Sequence, residues 1–313
     1  MNNVKRILSL TLALLLLIAL SACTVRDTGT KASHLTFSDS LGNEVVLSDS
    51  PKKVAVLFSS FAEVWTLAGG DVDVTVGESI ERGFVSDDTT LVDAGAGKTI
   101  DIEALIASSP DFVICSADIE AQLSAAEILK ESEIPVACFR TETFDEYLNM
   151  LDICTKITNR RDLYAKNGTD VKARIDKLLA SFDNKEYKNI LFIRAGSSSS
   201  STKAKTSSQH FAASMLSELG LHNIADDAPI LLDGLSIEEI ITRNPDFIFI
   251  STMGNEAAAQ KNMDELLTSP EWQSLDAVRD GRYVYLPKSL FHFKPNSRWD
   301  EAYEFLIDFV YES

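Results

Sequence analysis

One short segment of the sequence has residue types that could hold a phosphate group. Gly95-Ala-Gly97-Lys98-Thr99 looks like the end of a phosphate-binding loop, where glycine backbone and a lysine surround phosphate oxygens. The complete motif requires a glycine five positions before Gly97, and Val92 stands there. A helix is expected to begin at Asp101, and Glu103 in its first turn is a poor neighbour for phosphate. We therefore interpret the segment as a loop; a lipid-anchored enzyme using it on a phosphate ester is the alternative.

Other catalytic patterns are missing from the sequence. The histidines are His34, His210, His222 and His292, and no two of them have the His-x-x-x-His spacing of a zinc hydrolase. No Gly-x-Ser-x-Gly string is present to expose a nucleophilic serine, and no Cys-x-x-Cys indicates a structural zinc site. Cys115 and Cys138 border apolar runs, where a buried thiol is expected, and Cys154 is the third cysteine after residue 23. The sequence thus predicts neither an enzyme nor a resident cofactor.

Composition excludes a further class of function. The 313 residues include 29 Lys and Arg against 47 Asp and Glu, for a net charge of −18. Binding to nucleic acid requires clustered cations, so such a partner is not expected. An apolar content of 45% is typical of a folded protein, and the length suggests about two domains.

The N-terminus has the pattern of an export signal. Lys5 and Arg6 precede an apolar run that is shorter than the ~20 residues needed to span a bilayer. The run ends at Leu20-Ser21-Ala22-Cys23, which resembles a bacterial lipobox. We expect cleavage after residues 1–22 and acylation of Cys23, with 23–34 as a polar tether. The protein would then lie on the outer face of the cell membrane, held by its lipid.

An internal duplication predicts two similar lobes. The segment Asp101–Ile114 is echoed by Ser236–Phe249: each begins with a helix cap, has apolar residues at helical spacing, and continues through Pro-Asp-Phe into a buried strand. Glu239 is expected to complete a capping box with Ser236. Strand, loop and helix alternate in both halves, which is typical of an α/β fold with parallel sheets. We place the lobes at 35–145 and 186–313.

The intervening residues 146–185 read as a connecting helical segment. Apolar side chains give one helical face from about Asp162 to Phe182, although Asn167-Gly168 weakens its early turns. A long helix between the lobes would restrain their relative motion; a peripheral helix of one lobe is the alternative.

Together these features resemble a known family. The lipobox and tether, a hairpin with Asp39 and Gly42, a helix containing Glu63 and the paired Pro-Asp-Phe motifs are similar to substrate-binding lipoproteins of ABC importers. The resemblance is to the branch that binds iron siderophores, haem and vitamin B12. It implies two Rossmann-like lobes joined by a single long helix, with the ligand cleft between the lobes and a modest closure.

The resemblance also implies partners. In the family one exposed glutamate on each lobe docks onto an ABC permease dimer, which is driven by a cytoplasmic ATPase. The motif places these residues at Glu103 and Glu238. A carboxylate in a first helical turn is also stabilised by the helix dipole with no partner. We expect a monomer, and a sensor lipoprotein that no longer transports anything remains another alternative.

Candidate ligand contacts follow the predicted strands, since ligands of open α/β sheets bind beyond the carboxyl ends of the strands. They are Phe58, Ser59, Ser60, Arg82, Phe84, Arg140, Arg194, Lys203, Lys205, Met253, His292, Lys294, Arg298 and Trp299. Aromatic rings with cations suit a large anionic metal chelate, foremost a ferric siderophore, with haem or cobalamin as alternatives. His292 could ligate iron or only hydrogen-bond within its loop. Lys203 and Lys205 could instead be solvated, and too few histidines converge for a receptor of bare metal ions.

Overall fold

The computed structural model describes residues 35–93, 99–183 and 189–312. The signal segment, Cys23 and Lys98 therefore lie outside the described residues. Among the residues described, no helix combines the length and apolar character that crossing a membrane requires.

A β-hairpin precedes the first lobe and is fixed to it by a buried aspartate. Strands β1 (Leu35–Ser38) and β2 (Glu44–Leu47) are antiparallel, and Gly42 in their turn has a φ of 82°. The Asp39 carboxylate accepts hydrogen bonds from the backbone N–H groups of Leu41, Asn43 and Cys138 at 2.9 to 3.1 Å. The predicted hairpin is confirmed, and Asp39 holds it against the sheet.

The first lobe contains a parallel sheet in the order β5-β4-β3-β6-β7. Its strands are β3 (Val54–Val56), β4 (Val74–Thr75), β5 (Thr90–Leu91), β6 (Phe112–Ser116) and β7 (Val136–Phe139). Its helices are α1 (Ser59–Leu67), α2 (Gly77–Glu81), α3 (Ile102–Ala107) and α4 (Glu120–Glu131). The strand order reverses between β3 and β6, which is where ligands of such sheets bind.

Two helical stretches connect the lobes. Helix α5 (Phe144–Ile157) is followed by α6 (Arg161–Tyr164), a π-helical turn (Ala165–Thr169) and α7 (Asp170–Ser181). The helix predicted from about Asp162 to Phe182 is present, but Asn167-Gly168 forms the π turn within it. Here the Tyr147 hydroxyl donates to the Asn167 carbonyl at 2.8 Å, and Asn167 Nδ2 donates to the Leu67 carbonyl at 2.8 Å. The connector is thereby bound to the first lobe.

The second lobe repeats the architecture. Its sheet has the order β10-β8-β11-β12, all parallel, with β9 antiparallel to β8. The strands are β8 (Asn189–Ala195), β9 (Lys203–Ala204), β10 (His222–Asn223), β11 (Phe247–Thr252) and β12 (Tyr283–Tyr285). The helices are α8 (Phe211–Glu218), α9 (Ile230–Asp233), α10 (Ile237–Arg243), α11 (Glu256–Leu267), α12 (Asp276–Arg279), α13 (Lys288–Phe291) and α14 (Trp299–Glu312).

The duplicated motif has a structural explanation. The Asp111 carboxylate accepts from the backbone N–H of Lys53 at 2.9 Å, and Asp246 accepts from that of Asn189 at 2.9 Å, so each aspartate fixes the start of the neighbouring strand. Equivalent residues after the two helices, Ser109 and Asn244, both have a positive φ, of 52° and 39°. The duplication thus extends to the backbone.

The two helix starts differ from each other. The Asp101 carboxylate accepts from the Ala104 N–H at 2.9 Å, as predicted. The Ser236 side chain makes no cap hydrogen bond, and the capping box expected with Glu239 is wrong. Glu239 instead pairs with Arg243 at 2.6 Å, one turn along the same helix.

A single apolar core runs through both lobes. The cluster on the inner faces of the sheets includes Phe61 from the first lobe, Ile175 from the connector, and Phe192 and Trp299 from the second lobe. Two smaller clusters each lie on the outer face of one sheet. Because separating the lobes would expose this shared core, we expect their relative motion to be small.

Candidate functional site: the cleft between the lobes

The loops that follow the inner strands of the two sheets meet and form a cleft. A cavity of about 390 Å³ lies here, where the α1 and α2 segments face the loop between α13 and α14. It is lined by Glu63, Arg82, Phe84, Lys288, Ser289, Phe293, Lys294, Pro295 and Arg298. Both lobes contribute, as expected of a ligand site at the switch points of two sheets.

Arg82 is fixed at the centre of this wall by polar contacts. Its Nη1 donates to Ser59 Oγ and Ser60 Oγ, both at 3.0 Å, and its Nη2 lies 3.4 Å from Glu63 Oε2. Burial lowers the pKa of Arg82, while Glu63 and Glu78 oppose this shift. The guanidinium is therefore held by groups of its own lobe.

Aromatic rings flank the same guanidinium. Its Cζ lies 4.5 Å from the ring centroid of Phe84 and 4.0 Å from that of Phe293, within the range of cation–π contacts. Phe293 comes from the second lobe, so this contact crosses the cleft. Lys288 lies 5.6 Å from the Phe293 centroid. The cavity thus presents two rings beside cations.

Glu63 and Asn296 join the lobes beneath the cavity. Asn296 Nδ2 donates to Glu63 Oε2 at 2.8 Å and to the Ser60 carbonyl at 2.9 Å. Burial raises the pKa of Glu63, although the hydrogen bond from Asn296 and the charges of Arg82 and Arg298 oppose that effect. Asn296 is itself buried and has a φ of 51°. These contacts hold the α13–α14 loop against α1.

A second contact across the cleft pairs Lys294 with Glu142. The Lys294 ammonium bonds to Oε1 of Glu142. Glu142 follows β7 in the first lobe. The same ammonium lies 4.8 Å from the centroid of Phe211 at the start of α8. Lys294 is thus engaged on both sides of the cleft.

Cations and two histidines converge on the second lobe. Burial lowers the pKa of His210 to about 3, and the charges of Lys294, Arg194, His292 and Lys205 contribute to the shift. His210 Nδ1 accepts the Ala212 N–H at 3.2 Å as the cap of α8, which requires the neutral ring.

His292 is oriented by the strand beside it. Its Nδ1 lies 3.1 Å from the Thr252 carbonyl and must donate to it, since a carbonyl oxygen only accepts. Burial lowers the pKa of His292, and Lys288 and Arg194 add to this effect. In the neutral ring Nε2 then keeps its lone pair, as a metal ligand would.

The remaining predicted contacts differ in accessibility. Phe58 and Met253, which follow β3 and β11, and Lys203, which begins β9, are partly exposed. Ser59, Ser60 and Trp299 are at most 1% exposed, and in this conformation none of them presents its side chain to the cleft. The serines support Arg82, and the Trp299 ring packs between Phe144 and Phe211 with centroids 6.1 and 5.6 Å away.

Two predicted cations are paired at the surface. Arg140 bonds to Asp118 at 2.8 Å, which raises the pKa of Arg140. Arg298 bonds to Glu301 at 2.7 Å, one helical turn away. The sequence reasoning did not select Glu142, His210 or Phe293 as site residues. Phe293 lies between two predicted contacts, His292 and Lys294, but no sequence pattern marks the other two.

Glu103 and Glu238 are both exposed on equivalent helices, α3 and α10. Each lies in the first turn of its helix, at the carboxyl end of a parallel sheet, which is the edge that carries the cleft.

The three described cysteines, Cys115, Cys138 and Cys154, are free and buried, as expected for the first two. In the three described ranges, no group of three or more His, Cys, Asp or Glu side chains could hold a metal ion.

Most of the chain is similar in sequence to one known protein family. Residues 54–290 match the family model described as "Periplasmic binding protein". No curated protein sequence matches the chain.

Similar folds occur in solved structures. An ABC transporter substrate-binding protein from Listeria monocytogenes is 17% identical, with a TM-score of 0.67 over 85% of this chain and 100% of that one. The vitamin B12 binding protein BtuF of Vibrio cholerae is 19% identical, with a TM-score of 0.68 over 84% and 97%. Staphylococcus aureus SirA, complexed with staphyloferrin B, is 18% identical, with a TM-score of 0.64 over 89% and 97%.

Proposed function

This chain belongs to the periplasmic binding protein family, and on that premise we propose that it captures a metal chelate for an ABC importer. The chelate we propose is a ferric siderophore, with haem and cobalamin as alternatives. One observation carries the proposal: the rings of Phe84 and Phe293 line a cavity together with four cations, whereas Glu63 is the one carboxylate among its lining residues.

Three cations of the second lobe lie in or near the cleft: Lys288 lines the cavity, and the charges of Arg194 and Lys205 act on His210, as does that of Lys294 from the cavity wall. Within the described ranges no carboxylate pairs with Arg194, Lys205 or Lys288, whereas Arg82 and Lys294 already have carboxylate partners. Carboxylate and catecholate oxygens form strong, charge-assisted hydrogen bonds with such groups. Phe84 and Phe293 add apolar contact area beside them. This combination favours a chelate over a bare metal ion.

His292 supports a chelate that has an open coordination position. Its Nδ1–H is committed to the Thr252 carbonyl, so Nε2 is the atom available to a metal in haem or in an incompletely coordinated chelate. A chelate that already fills its metal's coordination sphere would instead use His292 as a neutral hydrogen-bond acceptor.

Transport, in this proposal, requires no chemical step in the protein. The acylated Cys23 holds a monomer on the outer face of the membrane, and ligand binding is accompanied by a modest closure about the shared core. Delivery to the permease dimer uses Glu103 and Glu238, whose exposure on equivalent helices suits docking to cations.

Calorimetric titration with ferric siderophores, haem and cobalamin tests the ligand class. We expect one class to bind, and the double variant Arg194→Ala, Lys205→Ala to weaken it by about 100-fold, since each charged hydrogen bond is worth about 1.5–3 kcal/mol. The control is Lys261→Ala, which removes an exposed charge from α11. This helix packs on the outer face of the sheet of the second lobe. Absence of binding, or equal affinity in the double variant, contradicts the proposal.

Charge reversal tests delivery separately. Glu103→Lys with Glu238→Lys should abolish uptake of the bound chelate by cells while ligand affinity is unchanged, because neither residue is among those that line the cavity. Loss of affinity would assign them to ligand binding, and undiminished uptake would remove them from docking.

A further inference from the structure

Two exposed isoleucines occupy equivalent positions in the duplicated motif. Ile106 on α3 is 37% exposed and Ile241 on α10 is 41% exposed. The other large apolar side chains with comparable exposure among the described residues lie outside the duplicated segments; they are Leu41, Val46, Leu91, Ile128, Ile230 and Tyr311. Single exposed apolar residues are ordinary, but a matched pair on two lobes requires an explanation.

Each isoleucine lies one helical turn after a docking glutamate. On α3, Glu103 and Ile106 are three positions apart and both exposed; on α10, Glu238 and Ile241 repeat this spacing. Residues three apart share a helix face. The intervening core positions also match, since Leu105 and Ile240 are both fully buried. The two helices therefore present the same face, a carboxylate beside an apolar side chain.

We propose that Ile106 and Ile241 are the apolar centres of two copies of one docking patch, one on each lobe, through which the chain contacts the permease dimer of the proposed function. The patch in each lobe consists of the glutamate and the isoleucine that follows it. A partner with two equivalent halves can offer a cation and an apolar hollow to each lobe. This rests on the proposed delivery to a permease dimer and adds the apolar contact that holds the complex.

The division of roles follows from the chemistry of the two side chains. Exposed ion pairs contribute little to affinity, but they orient and accelerate encounter. Burying an isoleucine in a fitted hollow contributes more, and apolar anchors dominate the centres of interfaces. Loss of one isoleucine should therefore weaken the complex by about tenfold, mainly through faster dissociation.

Site-specific photo-crosslinking in intact host cells tests this proposal. A benzophenone amino acid is placed at position 106, at position 241, or at position 128, where Ile128 is 42% exposed on α4 outside the motif. We expect positions 106 and 241 to crosslink to the same integral membrane protein, and position 128 to give no such product. Different products from 106 and 241, no product, or a crosslinked pair of this chain would overturn the proposal.

Binding of a double variant to the crosslinked membrane protein, held in nanodiscs, measures how much the two isoleucines contribute to affinity. Ile106→Ser with Ile241→Ser should weaken binding by about 100-fold, while Ile128→Ser leaves it unchanged. Calorimetry with the ferric siderophore panel distinguishes the two proposals. If the chain binds no chelate but crosslinks to one membrane protein through both 106 and 241, the proposed ligand class is wrong and the docking patch stands. If the chain binds a chelate normally but gives no such crosslinks, only the docking patch is wrong.

Discussion

At the scale of single residues, the cleft depends on which charges have partners. The sequence identified the cations of the cleft, but it could not show that Asp118 pairs with Arg140 or that Glu142 pairs with Lys294. These partners are distant in the chain and are brought together only by the fold. The same limit applies to Trp299, whose place in the core depends on Phe144 and Phe211.

His210 gives a prediction at this scale. Its pKa is lowered to about 3 in the folded state from an ordinary 6.5, so it contributes stability above pH 6.5 that is lost as the pH falls toward 3. His210→Asn keeps a side-chain oxygen to cap α8 and removes the titrating group. We expect the wild type to lose up to about 1.4 kcal/mol per pH unit relative to the variant.

Urea denaturation at a series of pH values between 7 and 4 measures this difference. Curves of stability against pH that stay parallel for the wild type and His210→Asn would contradict the assignment of a neutral imidazole whose pKa is lowered by desolvation and by the charges of Lys294, Arg194, His292 and Lys205.

At the scale of secondary-structure elements, close packing of the connector against the first lobe restricts which residue can follow α1. Gly69 ends α1 with a φ of 83°, and a Cβ there would lie 2.9 Å from Leu163 Cδ1 of α6. Gly220 ends α8 with a φ of 76°, but a Cβ there would meet no atom within 4 Å. The two glycines end equivalent helices, and only one of them also makes room for a neighbouring helix.

Alanine at each glycine separates these two requirements. Gly220→Ala should cost about 1 kcal/mol, for the backbone conformation alone. Gly69→Ala should cost about 2 kcal/mol, because displacement of the Leu163 side chain on α6 adds to the same backbone term. Free energies of unfolding from urea titration measure both. Equal losses would show that α6 does not constrain the end of α1.

Helices and strands were largely predictable, whereas one feature of the connector was not. Apolar spacing predicted the helix through Val171 and Ile175, and both are buried. The π turn at Asn167-Gly168 depends on α5, since a Cβ at Gly168 would lie 3.0 Å from Leu148 Cδ2. Local propensity contains no information about that close approach.

At the scale of the whole molecule, the internal duplication predicted two lobes, and the structure adds that they share a core. Three buried polar atoms have no hydrogen-bond partner within the described residues: Thr141 Oγ1, Asn296 Oδ1 and Trp299 Nε1. All three belong to segments that contribute cross-lobe contacts. Among the described residues, the unpaired buried side-chain polar atoms thus concentrate at the boundary between the lobes.

Whole-molecule charge has a local exception at the cleft. The chain carries a net charge of −18, yet the cavity is lined by Arg82, Lys288, Lys294 and Arg298 against one lining carboxylate, Glu63. An acidic body with a cationic cleft attracts an anionic ligand to one place only. The composition alone argued against a nucleic-acid partner, but it could not show that positive charges gather at the cleft of an acidic protein.

Native mass spectrometry of the mature protein, purified from iron-limited host cells, tests whether the cleft holds a metal chelate. We expect a metal-bearing small molecule to accompany the wild-type chain and Lys261→Ala, and to be lost from the double variant Arg194→Ala, Lys205→Ala. A metal-free ligand, or the same occupancy in the double variant, would contradict it.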